Sequence, residues 1–223
     1  MRLILNRVAF VERFRAVLYP FPMEALLRVM PEQGWVVPLE DPESGQTRLA
    51  TQASKGDVKL AFNTESRTFG TTGNAVDPVI DEYLTLRAYA VKEFGLSPEV
   101  ESEFTEFRLI GQVNTGVPST TNPAALIDSW WAGHPRSDSF AKFLAPRLEG
   151  EDVGVYGIRM ASKGRDANRR NWSEITIAPS STSGTRIFNV DLLYRNESLN
   201  KAELVGRRSE QTVLDSVSEM SKI

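Results

Sequence analysis

The chain has 223 residues, of which 41% are apolar and 25% are charged, and its formal net charge is −3. These values are typical of a soluble globular protein with a sizeable core, and they exclude a global positive field that would draw the whole surface to nucleic acid or anionic membrane. The chain has no cysteine, which excludes disulfides, thiolate nucleophiles and cysteine-ligated metal sites.

The N-terminal apolar run is too short for a signal peptide, and no segment reaches the roughly 18 continuous apolar residues of a membrane helix. We therefore expect a cytoplasmic protein that does not contact a membrane.

The first strand is predicted over residues 3–14, because β-branched and aromatic residues recur there with period two. The side expected to face the core consists of Ile4, Val8, Phe10 and Phe14. The other side consists of Arg7, Ala9, Val11 and Arg13.

A short helix and four short strands are predicted next. Pro22 suits the first turn of a helix over residues 23–30, and Pro31 with Gly34 ends it. Turn-forming clusters at 41–45 and 54–57 separate the strands. The strands are predicted over residues 35–39, 47–53, 58–64 and 67–71.

A longer helix closes the first half of the chain, with Asp77 as N-cap, Pro78 in the first turn and Gly95 at its C-terminal end. Its predicted apolar stripe consists of Val79, Ile80, Tyr83, Leu84, Ala88, Val91 and Phe94. Its predicted solvent side carries Asp81, Glu82, Arg87 and Glu93.

The second half repeats this order. A strand over 103–113 precedes a short helix that Asn122 caps and Gly133 ends, and one or two helical turns over 140–144 follow. Further strands are predicted over residues 153–161, 172–178 and 185–194. A final helix is predicted from Ser209 onwards.

The order of strand, short helix, strands and longer helix therefore occurs twice, over residues 1–98 and 99–223. It predicts an α+β fold in which two helix-grip-like pseudo-repeats form one continuous globular unit. Its sheet is expected to be extended and mostly antiparallel, with the helices on one face.

The residues around the junction of the repeats resemble the TATA-binding protein family. The resemblance is carried by residues 60–63 and 72–73, the helix that ends at Gly95, and residues 104–109. It implies the duplicated fold of that family, in which an asparagine of each first strand reads the DNA minor groove and phenylalanines act as wedges. The matching first-repeat residues are Asn6 and Phe62. The corresponding second-repeat positions hold Ile110, Ile175 and Ile177.

The cations and acids are distributed unevenly over the predicted elements. Strand periodicity assigns six cations to the helix-free face: Arg7, Arg13, Arg48, Lys59, Arg108 and Arg159. A predicted loop beside Trp172 adds four more: Lys163, Arg165, Arg169 and Arg170. Arrays of this kind hold phosphate backbones, and a nearby aromatic ring can stack on a base.

Four other features are assigned no chemistry. His134 is expected at a helix end, and the serine-rich segment 179–185 is expected to form a hairpin tip. The carboxylates around 99–106 are expected to be solvated rather than to converge on a metal. Of Trp130 and Trp131, one is expected in the core and the other could anchor a partner.

We therefore expect a non-enzymatic binding protein without catalytic residues, metal or cofactor, which contacts nucleic acid or another polyanion across an open basic sheet face. The first alternative is a protein-interaction or assembly module, with a protein partner or a homodimer, that uses the same face or the sheet edges. A weaker alternative is binding of a small apolar ligand between sheet and helix.

Overall fold

A computed structural model describes residues 1–15, 23–37, 53–63, 66–95, 97–116, 123–133, 155–164, 166–167, 169–180 and 187–220. The strands are β1 (Arg2–Phe14), β2 (Ser54–Lys55), β3 (Val58–Asn63), β4 (Thr68–Gly73), β5 (Ser102–Asn114), β6 (Ile158–Ala161), β7 (Trp172–Pro179) and β8 (Ile187–Asn196). The helices are α1 (Met23–Val29), α2 (Val76–Phe94), α3 (Pro98–Glu101), α4 (Pro123–Ala132) and α5 (Leu199–Met220). A 3-10 helix, Met30–Gln33, continues α1.

The eight strands form one antiparallel sheet in the order β2-β3-β4-β1-β5-β8-β7-β6. The first strand of each half, β1 and β5, pair at the centre, and the later strands of each half extend outwards in opposite directions. This arrangement confirms the predicted α+β fold with an extended antiparallel sheet.

Long strands β1 and β5 alternate between core and solvent. Val8, Phe10 and Phe14 are buried under the helices, while Arg7 and Ala9 point to the other face. Period-two burial is what a sheet covered on one face requires.

A β-bulge at Asn6 shifts the alternation of β1. Leu5 pairs with Gly111 and Arg7 pairs with Ile110, so Asn6 has no partner in the ladder. The bulge places Ile4 on the open face, where it is exposed, and the prediction that Ile4 faces the core is wrong. A bulge adds one residue to one strand and so reverses the side of everything before it.

Helices α2 and α5 pack side by side on the covered face. The buried side of α5 consists of Ala202, Gly206, Ser209, Val213, Val217 and Met220. At Gly206 an added Cβ would lie 2.9 Å from both Ile80 and Phe107, so α5 approaches β5 closely there. Arg207 joins the two helices through ion pairs with Asp77 and Asp81.

The helix boundaries differ from the predictions at two points. Helix α2 begins at Val76, and its N-cap is Ala75 without a side-chain hydrogen bond, so the assignment of Asp77 as N-cap is wrong. Helix α5 begins at Leu199, ten residues before the predicted start, because its buried positions there are small residues that give little hydrophobic periodicity.

The apolar stripe of α2 is also rotated from the prediction. Leu86 and Ala90 are buried, whereas Ala88 and Val91 are exposed. The end of the helix is as predicted, with Gly95 in the left-handed region at φ 66°.

Three predicted segments of the first half were also misplaced or fall outside the described residues. Ser54 and Lys55 form β2 instead of a turn. Of the strand predicted over 35–39, only residues 35–37 are described, and there Val36 forms an isolated bridge with Ser54. The strand predicted over 47–53 lies outside the described residues except for Ala53, as do the helical turns over 140–144.

No helix among the described residues is both long and apolar enough to cross a membrane.

The covered face under the first half contains a charged cluster. Glu12 of β1 is 1% exposed and accepts hydrogen bonds from the Tyr83 hydroxyl and from Arg87 Nε, the latter at 2.7 Å. Burial and the charge of Glu12 raise the pKa of Tyr83 well above its usual value. Burial opposes the charge of Arg87, but the hydrogen bond to Glu12 and its charge raise the pKa of Arg87 overall.

Candidate functional site

The helix-free face of the sheet, here called the open face, carries the predicted cations. Opposed residues of an antiparallel pair share a face, and the register puts Lys59 opposite Thr72, Thr72 opposite Ala9, and Ala9 opposite Arg108. Of the predicted cations, this alternation assigns Arg7, Arg13, Lys59, Arg108 and Arg159 to the open face.

The open face of β3, β4 and β1 is here called the cationic half. Its described strand residues are Arg2, Ile4, Arg7, Ala9, Val11, Arg13, Lys59, Ala61, Asn63, Thr68, Gly70 and Thr72. No acid is among them, and within the described part of the chain Arg7 and Lys59 form no ion pair. The nearby Asp57 lies in the turn before β3, within 3.5 Å of the side-chain amide of Asn74.

Arg13 is the exception in the cationic half. Its Nε lies 3.2 Å from Glu103, the residue that a bulge leaves unpaired in β5. Its guanidinium also lies over the ring of Phe104, 5.7 Å from the centroid.

The open face of β5, β8, β7 and β6 is here called the paired half. Its three acids each bind an arginine on the neighbouring strand. Arg108 donates two hydrogen bonds to Asp191, at 3.0 and 2.6 Å. Arg159 donates to Glu174 at 2.7 Å. These hydrogen bonds raise the pKa of Arg108 and of Arg159.

Arg195 forms the third pair and holds a loop. Its Nε and Nη2 donate to Glu106, its guanidinium lies 4.4 Å from the centroid of the Phe104 ring, and its Nη1 donates to the carbonyls of Ala167 and Arg169. Arg195 therefore fixes the β6–β7 connection against the end of the sheet.

The predicted basic loop is partly neutralised in the same region. Arg170 lies 3.6 Å from Glu103 and 3.4 Å from Glu197, and hydrogen bonds from Asn171 and Arg170 lower the pKa of Glu197. Lys163 and Arg169 are exposed, without an ion pair to any residue that the structure describes. Trp172 is half-buried at the start of β7, opposite Arg195.

A groove of about 400 Å³ runs along the cationic half and stops at β5. Its floor includes Ala9, Val11 and Ala61, and its ends are polar. One end holds Arg7, and the other holds Asn63, Ser66 and Thr68.

The depth of this groove comes from small residues. Gly70 packs so closely on β1 that an added Cβ would lie 2.2 Å from the carbonyl oxygen of Phe10. Ala9 and Ala61 carry only a methyl group, so the sheet surface beside Arg7 and Lys59 is low. The cations of this half therefore stand beside a concave strip of backbone and small side chains.

The remaining sequence assignments fall elsewhere. Arg48, Arg165 and His134 lie outside the described residues, as does most of the serine-rich segment 179–185. Trp130 of α4 packs against the core and Trp131 is half-buried. Of the predicted solvated carboxylates, Glu103 and Glu106 instead bind arginines.

Two cations of the open face were missed by sequence reasoning. Arg2 is exposed and lies opposite Asn114, and the structure describes no ion pair for it. Its side could not be assigned because the bulge at Asn6 is invisible to a period-two pattern. Arg195 of β8 could have been found, since it alternates with the apolar residues Leu192 and Tyr194.

A second cavity, of about 270 Å³, lies between sheet and helix. It is lined by Glu12, Arg87, Glu197 and the first residues of α5. This lining is charged, so the cavity offers poor burial for a small apolar ligand. Within the described part of the chain, no group of three or more acidic or histidine side chains is placed to hold a metal ion.

Comparison with known proteins identifies no relative of this chain. No protein-family model matches the chain, and neither curated sequences nor solved structures give a significant match.

Proposed function

We propose that this chain is a non-enzymatic binding protein whose open sheet face contacts nucleic acid or a related polyanion through its cationic half. The observation that carries the proposal is the contrast in ion pairing. Arg7 lines the groove, Lys59 lies beside it opposite Thr72, and the structure describes no carboxylate partner for either. Arg108 and Arg159, by contrast, are each neutralised by a carboxylate. Unpaired cations are the ones able to replace the counterions of a phosphate backbone.

The order of the secondary-structure elements also supports nucleic-acid binding. A duplicated helix-grip arrangement with an open sheet face is what the resemblance of residues 60–63 and 104–109 to the TATA-binding protein family implies. In that family the open face contacts DNA. Here Asn6, the counterpart of the base-reading asparagine, is exposed at the bulge of β1 next to Arg7.

The proposal ranks the predicted site residues. Arg7 and Lys59 contact phosphates first, and the exposed loop residues Lys163 and Arg169 extend the contact at the edge. Arg13, Arg108, Arg159 and Arg170 contribute less, because an incoming phosphate must compete with a carboxylate already in place.

The test is binding of a labelled mixed-sequence oligonucleotide, followed by fluorescence anisotropy across salt concentrations. For a single-stranded probe we expect log K to fall with log salt with a slope of about −1.4 to −2.1, as for two to three phosphate contacts. Replacing Arg7 and Lys59 by glutamine should weaken binding by at least tenfold and flatten the slope.

The matched control is Arg159→Gln, which removes a cation of equal charge from the same face of the paired half and should leave affinity within twofold. Equal losses in the control and in the double variant would contradict the assignment. Absence of salt-dependent binding by the wild-type protein would remove the proposal.

An assembly function is the second candidate, and the outer strand of the paired half favours it. β6 is an edge strand among the described residues, and Tyr156 and Met160 beside or within it are 59% and 49% exposed. An edge with exposed apolar side chains can pair with another chain. Light scattering of the wild type and of Met160→Lys tests this function. A wild-type dimer that Met160→Lys converts to a monomer would support assembly, and a monomeric wild type would exclude a homodimer.

A further inference from the structure

The shape of the groove indicates which form of nucleic acid fits, and this inference rests on the proposed function. The floor of the groove includes Ala9, Val11 and Ala61. Gly70 lies between Ala61 and Val11 in the sheet register, and these residues offer no charge and little bulk. A phosphate backbone gains nothing from such a floor, whereas the flat apolar face of an unstacked base is complementary to it.

The far end of the groove supplies hydrogen-bonding groups for a base edge. Asn63 uses its side-chain oxygen to accept from the backbone N–H of Ser66, at 2.8 Å, which leaves its amide N–H groups available. The Ser66 and Thr68 hydroxyls lie 3.0 Å apart and share one hydrogen bond, so one hydroxyl hydrogen remains to be donated. Neutral donors and acceptors of this kind bind the edges of bases that are not paired.

The paired half limits the length of the site. Glu106 and Arg108 border the groove on β5, and each is already bound to a partner on β8. A duplex lying across the sheet would need phosphate contacts on both halves, but the next cations beyond the groove are neutralised. Arg7 and Lys59 lie two strands apart, about 10 Å in the pairing direction. This span is longer than the step between adjacent phosphates, so the two cations suit phosphates of a short single strand that are separated by one further nucleotide.

We propose that the groove of the cationic half binds a short single-stranded segment of nucleic acid, with a base against Ala9 and Ala61, its edge toward Asn63 and Thr68, and its phosphates on Arg7 and Lys59.

The experiment compares three probes by anisotropy at low salt: a labelled single-stranded DNA octamer, the same sequence in a hairpin duplex, and inorganic polyphosphate as a competitor. We expect the single strand to bind at least tenfold more tightly than the duplex, and polyphosphate to compete weakly.

A variant that fills the floor separates the groove from the cations. Ala61→Leu should weaken single-strand binding at least fivefold while leaving competition by polyphosphate unchanged. Ala161→Leu, at an exposed alanine on the open face of the paired half, is the matched control and should have no effect. Thermal unfolding of both variants checks that each is folded.

The outcomes distinguish the two proposals. Duplex binding equal to or tighter than single-strand binding, still dependent on Arg7 and Lys59, would overturn the single-strand inference and leave the proposed function standing. An unchanged affinity in Ala61→Leu would also overturn it, since the base would then lie elsewhere. Failure of every probe to bind would remove both.

Discussion

The two halves of the sheet place their ion pairs on opposite faces, apart from the Arg13–Glu103 pair on the open face at the boundary between them. Under the cationic half, the pair between Glu12 and Arg87 lies on the covered face, and the open face keeps unpaired cations. In the paired half the arrangement is reversed, because Arg108, Arg159 and Arg195 bind acids on the open face. The buried residues of that half, within the part of the chain that the structure describes, include no charged side chain.

This difference shows that the number of arginines on a strand does not tell how many of them are free to bind a ligand. An arginine on an exposed strand is available to a ligand only if the cross-strand neighbour is not a carboxylate, and that neighbour is fixed by register. The comparison also predicts which ion pairs stabilise the fold. Breaking a buried pair lowers the free energy of unfolding far more than breaking an exposed pair.

The largest expected effect comes from breaking the buried pair. Glu12→Ala leaves the Arg87 guanidinium and the Tyr83 hydroxyl without their acceptor, and removing one partner of a buried ion pair costs about 3–5 kcal/mol. We expect a loss of that order in the free energy of unfolding, measured by urea denaturation.

Glu174→Ala is the matched control for Glu12→Ala. It breaks an ion pair in which Arg159 is 67% exposed, and such surface pairs contribute about 0–1 kcal/mol. Equal destabilisation by the two substitutions would show that the pairs on the two faces do not differ as described.

The next effect is a loss of stability at high pH that originates in the same cluster. Because the folded protein raises the pKa of Tyr83, the unfolded chain releases this proton first, from about pH 10 upwards. The contribution of Tyr83 is therefore complete below that pH and is lost as the pH rises toward the folded pKa.

We expect Tyr83→Phe to flatten the decline in unfolding free energy above about pH 10, in urea titrations at a series of pH values. Exposed Tyr156 offers the control, and Tyr156→Phe should keep the wild-type slope. A slope in Tyr83→Phe as steep as in wild type would show that Tyr83 does not couple folding to pH.

Much of the fold could be predicted from the sequence because its long strands alternate cleanly. In β5, Phe107 and Leu109 face the core and Arg108 faces away from it. A few alternating residues therefore suffice to assign a cation to one face of the sheet. The glycine after α2 likewise marks the end of that helix. The predictions failed where the signal is weak, as at the start of α5, where Ala202 and Gly206 bury small side chains.

The candidate site was predictable only in part. Alternation assigns Arg7 and Arg108 to one face, but it gives no information on which strands are neighbours. The pairs Arg108–Asp191 and Arg195–Glu106 join residues more than 80 positions apart, so only the strand order β1-β5-β8 shows that one half of the face is neutralised. The groove is equally a product of register, since Ala61 and Gly70 lie opposite each other only in the folded sheet.

The smallest predicted effect is a gain of binding, and it is the sharpest test of the comparison between the halves. Asp191→Asn with Glu174→Gln keeps the shapes of both side chains but removes the charges that bind Arg108 and Arg159. The two arginines then resemble Arg7 and Lys59, and each can contact a phosphate. We expect affinity for a mixed-sequence oligonucleotide to rise about threefold to tenfold at low salt, and the salt slope to steepen by about 0.7 for each added contact to a single strand. Asp215→Asn with Glu219→Gln, on the last turns of α5, removes the same charge from the chain and controls for the change in net charge. If both double variants bind equally well, net charge rather than release of the two arginines explains the gain, and the paired half is no different from any other acidic part of the surface.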